Sequence, residues 1–378
     1  MSVVPAPVPA SPAGPPPHGT GVLSLPGVLS AEQLHRSASY LVRCQEDSGA
    51  IPWFPGGHTD VWDHVECAMA LTVTGLGAPG HAEAARRAYL WLADSRVPGG
   101  GWPAKFRQGV PATRLREANH AAYPAVGLLH HLLVTGDTAF AERMWPVVEE
   151  GLEFVLALRG EHGEILWARS ENGAPGDHAL LTVCASVHHA LRCGAALAAR
   201  LGRSRPAWTA AADRLAVLIN DHEDLFADRG RFSMDWFYPV LGGAVRGAAA
   251  KERIARRWDR FVVPGLGVRC VSDQPWVTAA ESSELVLTLA AVGDVDAGVR
   301  VLRDVQHLRD ADDGVYWTGY QFAEQVRWPV ERSTWTSAAV ILAVDALTRT
   351  TPGSRVFLHT WDGDPADQDL SPEPAPGP

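Results

Sequence analysis

Apolar residues recur at three- and four-residue spacing across nearly all of residues 30–349, and alternating strand patterns are almost absent, so the pattern is helical throughout. The first helix is expected to start at Ser30, an N-cap with Gln33 three residues on, and to run through Leu34, Tyr40, Leu41 and Val42 to about Gln45. A second begins at Thr59 or Asp60, where Val65, Ala68, Met69, Leu71 and Val73 make a body that is apolar on every side and therefore buried all round. The same reading gives helices at about His81–Ser95, Glu117–Thr135, Thr138–Leu158, Asp177–Leu201 and Pro206–Asn220. It then gives Trp236–Gly247, Ala249–Phe261, Trp276–Val292, Val295–Leu308 and Arg332–Arg349.

Two regularities organise these twelve segments. Even-numbered helices are rich in Ala, Leu, Val and Gly, whereas odd-numbered ones carry charged faces such as Glu83, Arg86 and Arg87, or Arg253, Arg256, Arg257 and Arg260. That is the composition of an inner and an outer ring. The loops entering even helices are long, and those leaving them are short, as in Thr135-Gly136-Asp137 and Val292-Gly293-Asp294, so the long loops share one face. Even helices start about every 58 residues, with one shortened unit, which indicates a repeat architecture. The expected fold is all-α, an (α/α)6 toroid over residues 30–349, preferred to an open solenoid because solenoid repeats are usually shorter and have short loops at both ends. The first and last inner helices should be neighbours.

Composition narrows the function. Residues 1–29 and 350–378 are rich in Pro, Ala, Gly and Asp and read as flexible tails. The net charge is −10, Lys105 and Lys251 are the only lysines among 33 basic residues, and no basic stripe forms, so nucleic acid is not an expected partner. Cys44, Cys67, Cys184, Cys193 and Cys270 are odd in number and never form a CxxC pair, which fits a cytoplasmic location better than a disulfide framework or a thiolate zinc site. No apolar run is long enough to span a membrane. No cofactor and no bound metal are expected: His58, Asp60 and His64, or His178 with Asp177, are the nearest approach to a ligand set, and the pairs His130-His131 and His188-His189 point to different sides of their helices.

The long loops share a pattern of glycine and tryptophan. Gln45-Glu46-Asp47-Ser48-Gly49 precedes Trp53, Gly99-Gly100-Gly101 precedes Trp102, Gly160 and Gly163 precede Trp167, and Gln306-His307-Leu308-Arg309 is followed by Gly314 and Trp317. Glycine ends a helix at positive φ, and tryptophan folds back over the helix end as a flat plug. This spacing resembles a degenerate form of the glutamine–tryptophan motifs of the terpenoid cyclase and protein prenyltransferase toroids, and six-hairpin glycosidases share the same ring. The cyclase resemblance implies a carboxylic acid that protonates an alkene or epoxide, with aromatic faces that stabilise the cation. Asp310-Ala311-Asp312-Asp313 has the letters of the cyclase acid motif but lies about twenty residues ahead of an inner helix, inside a turn. The diphosphate and zinc motifs of the related transferases are missing.

Each inner helix carries an acid in or just before its first turns: Asp60, Asp63 and Glu66, then Glu117, Asp177, Asp235, Glu281 and Glu331. Capping and the helix dipole favour acids there, but ring closure makes all of them converge on one cup, together with aromatic residues. Asp60, Asp63, Glu117, Asp235 and Glu331 are the candidate catalytic residues. Asp63 leads as proton donor, because close like charges keep one carboxyl group protonated, with Glu331 as its leading partner and Asp235 behind it. Trp53, Trp62, Glu66, Trp102, Tyr123, Asp177, Trp236, Tyr238, Trp276, Glu281, Trp317 and Trp335 are the candidate substrate-binding residues. The largest cavity is expected at this mouth. The leading expectation is an isoprenoid-handling enzyme. A six-hairpin glycosidase using paired carboxylates on a carbohydrate is the alternative, and a non-catalytic binding toroid is third.

Overall fold

The computed structural model describes residues 22–360; the remaining parts of both expected tails lie outside the described residues. The helices are α1 (Ala31–Cys44), α2 (Val61–Gly75), α3 (Pro79–Asp94), α4 (Ala118–Ala122), α5 (Pro124–Thr135), α6 (Thr138–Leu156) and α7 (Leu181–Arg200). They continue as α8 (Pro206–Asp221), α9 (Ser233–Leu241), α10 (Gly247–Phe261), α11 (Ala279–Ala291), α12 (Val295–Asp304), α13 (Thr334–Thr348) and a short α14 (Arg355–Leu358). Inner helices α2, α5, α7, α9, α11 and α13 each pack on the next, and α13 packs on α2, so the ring is closed. Thr334 seals the seam: its N–H donates to the Trp53 carbonyl and its hydroxyl to the Pro52 carbonyl, both at 2.8 Å. The fold is the expected (α/α)6 toroid.

Local chemistry explains most helix starts. Ser30 and Gln33 form a reciprocal capping box on α1, and the Asp60 side chain caps α2 by accepting from the Asp63 N–H at 3.0 Å. Four departures from the expected helices bear on the mouth. Pro124 divides the expected Glu117–Thr135 helix into α4 and α5, because its ring removes a backbone donor. α7 begins at Leu181, four residues after Asp177, since residues 166 and 179 are bridged in extended conformation. α11 begins at Ala279 because Trp276–Thr278 is a strand. α9 runs from Ser233 to Leu241, starting and ending earlier than expected.

Short strands organise the long loops, although periodicity gave no sign of them. β1 (His58–Thr59), β2 (Phe106–Arg107) and β3 (Val110–Pro111) form one sheet, and β4 (Arg116–Glu117) pairs with β5 (Ala168–Arg169). β6 (Val262–Val263), β7 (Gly267–Arg269), β8 (Trp276–Thr278), β9 (Gly319–Gln321) and β10 (Val326–Arg327) make an antiparallel five-stranded sheet. All three stand on the face that carries the N-terminal ends of the inner helices. Two stretches expected in the tails pack on the ring: Leu25 and Leu29 are buried, and so are Val356 and Phe357 of α14.

Candidate active site

At the N-terminal mouth a cavity of about 360 Å³ is bordered by four carboxylates, Asp60, Asp63, Glu117 and Asp235, with Trp62 and Trp335 beside them. It is not the largest hollow. A wider groove of about 810 Å³ runs along the opposite face between α1, the end of α2 and Thr350–Pro352. The mouth cavity is distinguished by its chemistry, since inner-ring acids reach it and the opposite groove has only Glu32, on outer helix α1, at its border.

Asp60 and Asp63 lie one turn apart, yet their protonation differs. Burial disfavours the Asp60 charge, but a hydrogen bond from His58 and the charge of His120 outweigh it, and the carboxyl is held below the usual carboxylate range. His58 Nε2 lies 3.6 Å from Asp60 Oδ2. Asp63 has no such support. Burial, then the adjacent Asp60 carboxylate, then Glu66 and Glu284 push its carboxyl well above the usual range. The helix thus presents one ionised and one protonated acid to the same cavity.

Asp235 enters from α9, the third inner helix on from α2 in either direction around the ring, and so stands opposite Asp63. Burial raises its carboxyl, while a hydrogen bond from the Thr182 hydroxyl and the charges of Arg229 and Arg253 oppose that shift. Aromatic rings close the cavity floor. Trp62 stacks on Tyr123 with centroids 4.9 Å apart and meets Tyr238 edge-on at 5.3 Å. Glu66 lies beneath, accepting from Trp62 Nε1 at 3.1 Å, Tyr123 OH at 2.7 Å and Trp335 Nε1 at 2.7 Å.

Other expected residues fall elsewhere. Glu331 lies in the loop before α13, outside the cavity lining; its Oε1 accepts from Trp53 Nε1 at 2.9 Å, and Ser333 caps the helix in its place. Asp177 has a side chain 94% exposed and pairs with His178. Trp102 is fully buried and donates to the Leu92 carbonyl at 3.0 Å, while Trp236, also buried, donates to the Arg253 carbonyl at 3.0 Å. Both staple outer helices. Trp276 and Trp317 stand in the rim: Trp276 Nε1 donates to the Trp328 carbonyl, and the Arg332 guanidinium lies over the Trp317 ring. Trp53 leans on Trp335 with centroids 5.8 Å apart. Glu281 is buried next to Cys270, which borders the cavity. His64 is no candidate ligand, because its Nδ1 accepts from the Ile51 N–H, its Nε2 donates to the Ala88 carbonyl, and burial lowers it to about 4.

The sequence reading missed Lys105, Asn119, His120, Thr182, Arg229 and Cys270 at the cavity and Glu284 below it. A signal existed for Glu284: a second ionisable side chain one turn beyond Glu281, on an inner helix that is buried from Ala279 to Ala290. The glycine–tryptophan turns are helix-end fasteners. Gln45 caps α1 and its side chain bonds the Gly49 and Ala84 carbonyls, and a Cβ on Gly49, at φ +95°, would meet the Arg87 carbonyl at 2.5 Å. Asp310 and Asp313 are turn residues held by Arg332.

Fold and site define a toroid with a carboxylate-lined mouth. No family model matches the chain. An MMP endo-(1,4)-3-O-methyl-α-D-mannosidase from Mycolicibacterium hassiacum is 52% identical over 336 residues, covering 89% of this chain and 92% of that protein. The chain belongs to the family of that mannosidase and is an enzyme. A glycosidase solved in complex with glucose superposes with TM-score 0.64 at 17% identity, over 84% of this chain and 96% of the other. A D-mannose isomerase gives 0.62 at 11% identity, over 84% and 97%, and a cellobiose 2-epimerase from Spirochaeta thermophila gives 0.60 at 13%, over 84% and 96%. These last three share the fold. The terpenoid cyclase expectation is overturned: the relative that aligns along nearly the whole chain is a mannosidase, and the turn motif is the fastening chemistry of the ring itself.

Proposed function

We propose that this enzyme is an endo-acting glycoside hydrolase that cleaves (1,4) links in a chain of 3-O-methyl-α-D-mannose. The observation that carries the reading is the mannosidase relative, 52% identical over 89% of this chain. The site chemistry agrees with it, because hydrolysis of a glycoside needs one protonated and one ionised carboxyl group on opposite sides of the bond. Asp63, protonated, donates to the glycosidic oxygen as its bond to the anomeric carbon breaks. Asp235, across the ring, takes a proton from the water whose oxygen forms the new bond to that carbon. Asp60 stays ionised, and its charge stabilises the positive character developing on the sugar ring. Trp62 and Trp335 offer flat apolar faces to the sugar and its methyl ether.

The test is direct. Purified enzyme incubated with a 3-O-methylmannose polysaccharide should yield shorter oligosaccharides by mass spectrometry, and an unmethylated α-(1,4)-mannan should be a poorer substrate. Release of single sugars from chain ends would exclude endo action; an inert polysaccharide would overturn the reading.

A further inference from the structure

Two glutamates are buried at the centre of the ring, below the cavity and out of reach of substrate: Glu66 of α2 and Glu284 of α11. Their surroundings differ. Glu66 receives three donors from three parts of the ring, Trp62 on its own helix, Tyr123 at the α4–α5 junction and Trp335 on α13. Both oxygens of Glu284 are buried without a well-formed hydrogen bond, the Tyr238 hydroxyl being an adjacent donor. Burial raises the Glu66 carboxyl, but three converging N–H and O–H groups are an acceptor's cradle that suits a carboxylate and oppose that shift, whereas a buried carboxyl group with fewer donors avoids ionisation by keeping its proton.

Glu66 follows Asp63 at i+3, so the two side chains are neighbours on one helix face. We propose that Glu66 is a positioning residue for catalysis, a fixed negative charge that keeps the proton on Asp63 until substrate arrives. The proposal rests on Asp63 acting as the proton donor. The groups that face the pair are Asp60 and Trp62 of α2, Tyr123, Tyr238 of α9, Glu284 of α11 and Trp335 of α13. None of these carries positive charge; the basic groups Lys105, His120 and Arg229 border the cavity that Asp63 faces. Asp60 adds its charge to the same effect, while Glu284 stays neutral so that the floor carries one negative charge instead of two. Tyr238 lies next to Glu284.

Removing the Glu66 charge should let Asp63 ionise at lower pH. A general acid must be protonated to work, so the alkaline limb of the kcat/KM profile reports its ionisation in the free enzyme. Two unit charges about 6 Å apart at a moderate effective dielectric give a shift of about one pH unit or more. Glu66→Gln, which preserves shape and an acceptor oxygen, should move that limb down by about one unit. Activity at the alkaline end should then fall about tenfold more than activity at the acid end. Tyr123→Phe, which removes one donor and leaves the packing, should move the limb the same way by less, because Glu66 then keeps its proton more readily. Glu284→Gln should move the limb less than Glu66→Gln does, because a protonated Glu284 carries little of the charge that acts on Asp63. If both Glu66→Gln and Tyr123→Phe fold and lower turnover equally at every pH, Glu66 is structural and the proposal fails. If Glu66→Gln does not fold, the Tyr123→Phe profile decides alone. Should Asp63→Asn retain near-native activity, the hydrolase assignment of Asp63 fails first, independently of Glu66.

Discussion

The two ends of the inner ring each bury an acid in a different way. At the mouth, Asp63 faces a cavity, half-buried and protonated, with another carboxylate one turn away. At the far end Asp345 of α13 is also buried and also raised, to about 7, but it is enclosed: Thr351 donates its N–H at 2.8 Å and its hydroxyl at 2.7 Å. Those bonds fix the chain that turns out of α13 toward α14. A raised carboxyl group therefore does not identify chemistry by itself; an open space beside it with a partner across that space does. Asp345 is a fastener and Asp63 a reagent.

Substitutions can break this contrast, and the largest effect is expected at Asp63. Asp63→Asn should lower kcat by about 10²- to 10⁴-fold and, because it relieves repulsion with Asp60, leave the melting temperature within a few degrees. Asp235→Asn should also disable turnover, about 10²-fold or more, with rescue by a small external anion such as azide or formate if its role is to activate water. A stable but active Asp235→Asn enzyme would pass the basic role to Glu117, the remaining carboxylate of the cavity. Asp345→Asn should do the reverse. Kinetics stay unchanged, and unfolding by urea shows a loss of about 1–2 kcal/mol at low pH, where one of the two Thr351 bonds is missing.

The sign of the pH effect at Asp345 sharpens this further. Its folded value, about 7, lies above its ordinary 3.8, so the protonated form suits the folded state and stability is lost as pH rises from about 4 to about 7. Asp345→Asn removes that loss, so the difference in stability between variant and parent should shrink or reverse across this window. A difference that stays constant with pH would show that Asp345 does not titrate there. The smallest effect on turnover is expected at an outer turn of the ring. Gly49→Ala, at φ +95° and 2.5 Å from a carbonyl oxygen, should cost about 1–3 kcal/mol of stability and leave kcat/KM unchanged.

The ring was legible because its signals are long. Twelve apolar stripes, the Ser30 capping box and loops gathered on one side gave the architecture, and ring closure then placed Asp60, Asp63, Glu117 and Asp235 at one mouth. Strands of two or three residues have no period to detect, so the sheets of the mouth went unseen, and with them the displacement of Asp177 and Trp276 from the helix starts. Glu331 was placed by counting to a helix start, but Ser333 is the cap, and two residues are enough to turn a side chain from the cavity toward Trp53. Chemistry was less legible than place. Glycine and tryptophan at loop turns are what any helical ring uses to fasten outer helices, so they describe the scaffold and say nothing of the substrate.

Closure of the ring also sets when the enzyme comes into being. Trp335, which completes the cradle of Glu66, stands 269 residues after it, and Thr334, which locks the seam to Pro52 and Trp53, stands 282 residues after Pro52. During synthesis the first inner helix emerges early and must wait, with one flank of an apolar body uncovered, for the last to leave the ribosome. A nascent chain stalled before Thr334 should therefore carry Asp60 and Asp63 and yet be inactive, and the interval before closure is when that flank most needs a chaperone.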